Sequence, residues 1–124
     1  MPKSTLQDCR ILVVEDEYML ADELQNEFVD ANAVVLGPVG TLNNAMNLIA
    51  SEQHIDGAVL DVSLDGEMVF PAADLLLQRG VPFVFTTGYD ASSIPPRFKH
   101  IVRCDKPVNI RKVTQALGRA VHPI

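Results

Sequence analysis

The sequence predicts a doubly wound, flavodoxin-like α/β fold, (βα)5, with a parallel five-stranded sheet covered by helices on both faces. Three observations carry this. Short apolar runs of strand length alternate along the chain with longer stretches of helical spacing. The runs are apolar on consecutive residues, as strands buried on both faces are. The chain has 124 residues, enough for one domain with one core.

The elements follow in order. Residues 11–14 form the first buried strand, rich in branched side chains. Residues 17–31 place Leu20, Leu24, Phe28 and Ala31 on one helical face. Residues 33–36 are a second strand, broken by Gly37-Pro38. Leu42, Ala45, Met46 and Ile49 form the next helical stripe, and residues 57–60 a third strand ending at Asp61. Residues 63–67 (SLDGE) read as a turn. Pro71 suits the first turn of a helix carrying Ala73, Leu76 and Leu77 and stopping at Gly80. Residues 83–85 are a fourth strand running into Thr86-Thr87-Gly88. Pro95-Pro96 makes any helix over 91–99 short or irregular. Residues 101–104 are the fifth strand, stopped at Lys106-Pro107, and Ile110, Val113, Leu117 and Val121 mark the last helix.

Right-handed crossovers bring the carboxyl ends of all the strands to one edge. At this size the expected strand order is 2-1-3-4-5, with its switch point between strands one and three, where ligands bind. The domain is expected to span 1–124, with a core over about 9–122 and no output domain.

Composition narrows the function. Ten basic and sixteen acidic residues give a formal charge of −6, which disfavours nucleic-acid binding. No apolar stretch is long enough to span a bilayer, and the first residues have no signal-peptide core, so a cytoplasmic location is expected. Cys9 and Cys104 have no motif spacing and read as reduced thiols.

The chemistry gathers at the strand ends. The first strand runs straight into Glu15, Asp16 and Glu17; the third ends at Asp61, the fourth at Thr87 and the fifth at Lys106. Two carboxylates about 5 Å apart at an effective dielectric near 20 repel by roughly 3 kcal/mol. A cation relieves that, and an all-oxygen site suits Mg²⁺ or Mn²⁺, whereas zinc would want His or Cys. A divalent ion beside a carboxylate suits phosphoryl transfer, with Asp61 as nucleophile and Lys106 and the Thr87 hydroxyl neutralising phosphoryl oxygens. Each piece alone also has a plain structural reading. The acids at 15–17 favour a helix N-terminus, and Asp61, Thr87-Gly88 and Lys106-Pro107 all suit turns. Their coincidence at the strand ends is what points to a site.

Here the chain resembles the receiver domain of two-component response regulators. ILVVEDE at 11–17, AVLDVSL at 58–64, FVFTTG at 83–88 and CDKP at 104–107 carry the resemblance. It implies that Asp61 accepts a phosphoryl group from a phosphohistidine on a sensor histidine kinase or from a phosphotransfer protein. It implies that Asp16 and Asp61 ligate Mg²⁺, with Glu15 assisting and the backbone carbonyl of Ser63 completing the protein ligands. Thr87 would move toward the phosphoryl group, Lys106 would pair with it, and Lys106-Pro107 would be cis. The chain would be a phosphoacceptor signalling protein rather than an enzyme, acting through protein contacts. Ser63 and Tyr89 stand at positions that tune acyl-phosphate lifetime in the family, and Tyr89 either shields the phosphate or packs on its loop.

The sequence also departs from the common pattern. Arg103 stands where a receiver carries the aromatic residue that rotates on activation, so Arg103 and Tyr89 are candidates for a different switch, or Arg103 lies on a solvated face. The loop after Asp61 lacks the usual proline. Phe85, Thr86, Thr87, Gly88 and Tyr89 resemble a bacterial subgroup with a Phe-Ala-Thr-Gly-Tyr-like stretch, often stand-alone receivers, implying that switching uses residues 87–97. Other classes fit poorly. A haloacid-dehalogenase-type hydrolase needs an acid where Ser63 stands, and a flavodoxin's phosphate loop would be repelled by residues 15–17. A receiver-like binding module that works without phosphorylation, or a phosphate sink or relay, remains open.

Overall fold

The computed structural model describes residues 6–88 and 94–122. Its main sheet has five parallel strands: β1 (Arg10–Val14), β2 (Val34–Val39), β3 (Gly57–Asp61), β6 (Phe83–Thr87) and β7 (Arg103–Asp105). Their order is β2-β1-β3-β6-β7. Counting only these strands, this is the expected 2-1-3-4-5. Two further strands, β4 (Ser63–Leu64) and β5 (Glu67–Met68), form a small antiparallel hairpin. The described helices are α1 (Tyr18–Asp30), α2 (Leu42–Ser51), α3 (Phe70–Gln78) and α4 (Ile110–Val121), with a 3-10 turn at Pro96–Phe98. None is long and apolar enough to cross a membrane.

Strand alternation divides the core in two. Leu12, Val14, Leu60 and Phe85 face α2 and α3. Ile11, Val13, Val59 and Val84 face α1 and α4. Both faces are covered, which is why the strands read as unbroken apolar runs. The predicted α1 stripe holds: Leu20, Leu24 and Phe28 are buried together with Ala21. Leu77, expected on the inner face of α3, is instead partly exposed, and Phe70, Ala72, Ala73 and Leu76 are the buried residues.

Several boundaries need correction. The second strand does not break at Gly37-Pro38 but continues to Val39, with a register shift between Leu12 and Val14 on its neighbour. An edge strand tolerates the missing proline N–H. Gly37 has φ +93°, and a Cβ there would lie 2.8 Å from the Val39 nitrogen and 3.0 Å from the Val13 oxygen, so only glycine fits. Gly37-Pro38 and Lys106-Pro107 are both cis, the second as the resemblance implies. Residues 63–67 are more than a turn: Asp65 (φ 49°) and Gly66 (φ 89°) are both left-handed and close a two-residue hairpin. The fifth strand begins at Arg103, not at 101. Ile101 still donates its N–H to the Phe98 carbonyl and so belongs to the preceding turn.

Between β6 and β7 the described residues hold that 3-10 turn instead of a regular helix, as Pro95-Pro96 predicts. Phe98 anchors it. Its buried ring lies 5.5 Å from Phe70 and from Phe85 and 6.4 Å from Phe83. Arg97 reaches back to Asp74 on α3 through two 3.0 Å hydrogen bonds.

Candidate functional site

The site is built where strands end. Val14 pairs with Leu60 and Asp61 with Thr86, so Glu15, Asp61 and Thr86 follow one another across three adjacent strands. Glu15 keeps the parity of Val13 and Asp61 that of Val59, which directs both toward α1 and α4. Both are nearly fully buried, while Asp16 is exposed.

Lys106, carried just past β7, enters this cluster. Its Nζ donates to Asp61 Oδ2 at 2.9 Å, Glu17 Oε2 at 3.1 Å and Glu15 Oε2 at 3.3 Å. Its own backbone N–H bonds the Thr87 carbonyl at 2.8 Å, which ties the lysine to the end of β6. The other Asp61 oxygen, Oδ1, accepts the Ser63 N–H at 3.2 Å. Asp16 Oδ2 accepts the N–H of Asp65 at 2.8 Å, so the β4–β5 hairpin holds the exposed acid. In a two-residue hairpin Leu64 and Glu67 are the hydrogen-bonded pair. Ser63 and Met68 are the non-bonded pair, which turns the Ser63 peptide groups away from β5.

Burial and charge set the protonation. Burial is the main cause that raises the Glu15 carboxyl, to about 8, and the adjacent Asp61 carboxyl adds to it. The Glu17 N–H on Glu15 Oε2 and the Lys106 charge act in the opposite direction. Burial pulls Lys106 down, but the hydrogen bond and charge of Asp61, with Glu15 and Glu17, outweigh it and raise the ammonium above its ordinary value. Lys106 therefore stays charged and offsets one carboxylate.

One cation is too few for four acids. Glu15, Asp16 and Asp61 each offer an oxygen, all within 4.8 Å of one another. Glu15 Oε1 is buried and has no hydrogen-bond partner among the described residues. A buried carboxylate oxygen without a donor, beside two more carboxylates, fits an oxygen-liganded divalent cation and gives nitrogen- or sulfur-seeking metals nothing.

The structure thus brings together Glu15, Asp16, Asp61, Ser63 and Lys106. Thr87 lies at the same edge, buried at the end of β6. Arg103 does not join them: it is exposed and pairs with Asp105 Oδ1 at 3.2 Å. Tyr89 lies outside the described residues. Three features escaped the sequence reading. Glu17, at the N-cap of α1, turns its side chain to Lys106 and makes no capping bond with it. Asp65 anchors Asp16, a role its Asp-Gly turn signal could have suggested. Thr86 is fully buried in the same row as Asp61, and its Oγ1 has no hydrogen-bond partner among the described residues. The Thr86-Thr87 doublet gave no clue to that.

No family model and no curated protein matches the sequence. Solved structures do. SdrG from Sphingomonas melonis Fr1 is 35% identical over 91% of this chain and 94% of its own, with a TM-score of 0.76. A BeF3-activated conformation of SdrG, from Pseudomonas melonis Fr1, is 33% identical over 94% of this chain and 95% of its own, at a TM-score of 0.70. A response regulator receiver protein from Sinorhizobium medicae WSM419 shares the fold at a TM-score of 0.80, with 21% identity over 95% of this chain and 98% of its own. With the strand order, the acidic cluster and the lysine all in place, the chain belongs to the response regulator receiver domains.

Proposed function

We propose that this receiver accepts a phosphoryl group on Asp61 from a sensor histidine kinase or phosphotransfer protein, with Mg²⁺ bound at Glu15, Asp16, Asp61 and the Ser63 carbonyl. The observation that carries this is the state of Asp61. It is a buried carboxylate with one oxygen on Lys106 and the other on the Ser63 N–H, beside acids that need a cation. An Asp61 oxygen attacks phosphorus, the phosphorus–nitrogen bond of the donor phosphohistidine breaks, and the electron pair leaves with the imidazole. The product is an acyl phosphate. The bound ion supplies positive charge against the phosphoryl oxygens. Lys106 exchanges its Asp61 contact for a phosphoryl oxygen, and the Thr87 hydroxyl binds another.

The reaction needs little more than positioning and charge neutralisation, so the chain acts as a phosphoacceptor rather than an enzyme on an external substrate. Its signal leaves through protein contacts that differ between the two states, in the cytoplasm. The relative SdrG has a BeF3-activated conformation, which supports a phosphoryl-driven switch here. Arg103, exposed and paired with Asp105 in place of the family's aromatic residue, favours a switch through residues 87–97. The same substitution keeps a second reading in play, a receiver-like module that binds partners without phosphorylation. A phosphate sink or relay would share the Asp61 chemistry and differ only in partners.

The test is intact mass after incubation with acetyl phosphate or a beryllofluoride titration, with and without Mg²⁺. A single phosphoryl adduct that requires Mg²⁺ and vanishes in Asp61→Asn is expected. Silence toward acetyl phosphate, beryllofluoride and a phosphorylated histidine kinase alike would replace this reading with the binding module.

A further inference from the structure

One buried polar atom beside the site has no part in the chemistry described so far. Thr86 is fully buried, and its Oγ1 has no hydrogen-bond partner among the described residues. Its backbone is engaged, for the Thr86 carbonyl accepts the Val62 N–H at 3.0 Å. A β-branched side chain suits a buried strand, which accounts for the shape. Valine has that shape without the hydroxyl, and a buried hydroxyl left unpaired costs free energy. Shape alone therefore does not account for the oxygen.

Thr86 stands beside Asp61. The two are register partners on adjacent parallel strands, and such strands run about 4.8 Å apart. Thr86 keeps the parity of Val84, which turns it toward α1 and α4, as Val59 does for Asp61. Thr87 alternates to the other face, with Phe85. Of the two hydroxyls, that of Thr86 is the one in the Asp61 row. On its far side the row continues to Cys104 on β7. Burial pushes the Cys104 thiol up, so it stays neutral and is a weak hydrogen-bonding group. The strong acceptor next to the hydroxyl is Asp61.

In the resting site both Asp61 oxygens are occupied, Oδ1 by the Ser63 N–H and Oδ2 by Lys106. The Lys106 ammonium has three hydrogens and already serves three carboxylates. It reaches a phosphoryl oxygen only by giving one of them up. Once it leaves Asp61, that buried carboxyl group is short of a donor. We propose that Thr86 is a positioning residue whose hydroxyl replaces Lys106 as a donor to the Asp61 carboxyl group when Asp61 is phosphorylated. This rests on the phosphoacceptor reading above and adds a residue to it. The hydroxyl is unpaired in the resting protein and paired in the phosphorylated one, so it favours the second state over the first.

The test is a beryllofluoride titration of isotope-labelled protein with Mg²⁺, on the wild type, Thr86→Val and Thr86→Ser, with the thermal midpoint of each. Thr86→Val is expected to bind beryllofluoride about tenfold more weakly while its resting midpoint rises. Its Mg²⁺ affinity without beryllofluoride stays within about twofold, and Thr86→Ser, which keeps the hydroxyl, binds beryllofluoride within about threefold of the wild type. A merely structural hydroxyl would not move stability and beryllofluoride affinity in opposite directions. Wild-type affinity in Thr86→Val overturns the proposal, and so does a Thr86→Ser as weak as Thr86→Val. An equal loss of Mg²⁺ affinity overturns it by assigning the hydroxyl to the metal, and a lowered midpoint in Thr86→Val by engaging it at rest. In each of these the wild type still binds, so the phosphoacceptor reading stands. A wild type silent toward beryllofluoride, acetyl phosphate and a phosphorylated histidine kinase removes both.

Discussion

Lys106 and Arg103 are two cations three residues apart at opposite ends of one short strand, and the fold gives them opposite circumstances. Lys106 turns inward to three carboxylates, two of them buried. Arg103 stays outside with one exposed carboxylate two residues along the chain. The charge is the same, so the difference lies in surroundings. In a buried cluster each ion is held by its neighbours and its removal strands them. At the surface solvent screens the pair, and it is worth little to the fold. Arg103 accordingly adds little to the fold, whereas Lys106 belongs to the acidic cluster at the strand ends.

The sharpest way to break this comparison is to replace each cation with methionine in the absence of divalent ions. Lys106→Met leaves the buried Asp61 without its cation and is expected to cost about 3–5 kcal/mol in urea denaturation at neutral pH, with Mg²⁺ recovering much of it. Arg103→Met is expected to stay within about 0.5 kcal/mol. Equal losses would show that burial does not distinguish the two.

Glu15 gives the next effect. Its carboxyl is raised from 4.5 to about 8 in the folded chain. A proton is therefore held more tightly folded than unfolded, and the contribution is complete below about pH 4.5 and lost as the pH rises through 8. At about 1.4 kcal/mol per pKa unit the metal-free protein should lose a few kcal/mol across that window. Glu15→Gln should flatten the profile, and Mg²⁺ should reverse the slope above pH 7. A metal-free profile that rises through this window would contradict the buried-carboxyl description.

Thr86 gives the smallest effect. A buried hydroxyl without a partner costs free energy that an isosteric methyl does not. Thr86→Val is expected to raise the thermal midpoint, by about 1 kcal/mol in stability terms. A loss of stability instead would mean that the hydroxyl is engaged beside Asp61.

Much of this arrangement could be read along the chain. The apolar runs at 11–14, 57–60 and 83–85 are strands because two-sided burial leaves no room for polar residues. The residues following them were legible as a site because parallel strands must end on one edge. Boundaries failed where a tertiary contact overrode a local signal. Pro38 reads as a breaker, yet β2 runs through it at the sheet's edge. Ile101 reads as strand, yet its N–H serves the turn that Phe98 pins to the aromatic cluster.

By itself the sequence determined the order of the five parallel strands and of the helices between them, and that Glu15, Asp16, Asp61 and Lys106 meet. Periodicity and chain direction are local properties, and handedness does the rest. Only the tertiary structure decided that Glu17 serves Lys106, that Asp65 holds Asp16, that Glu15 Oε1 and Thr86 Oγ1 lie buried without partners among the described residues, and that Arg103 faces a groove. Those facts depend on which side chains are deprived of water once distant segments pack. Desolvation is a property of the assembled molecule and has no signature in residue order.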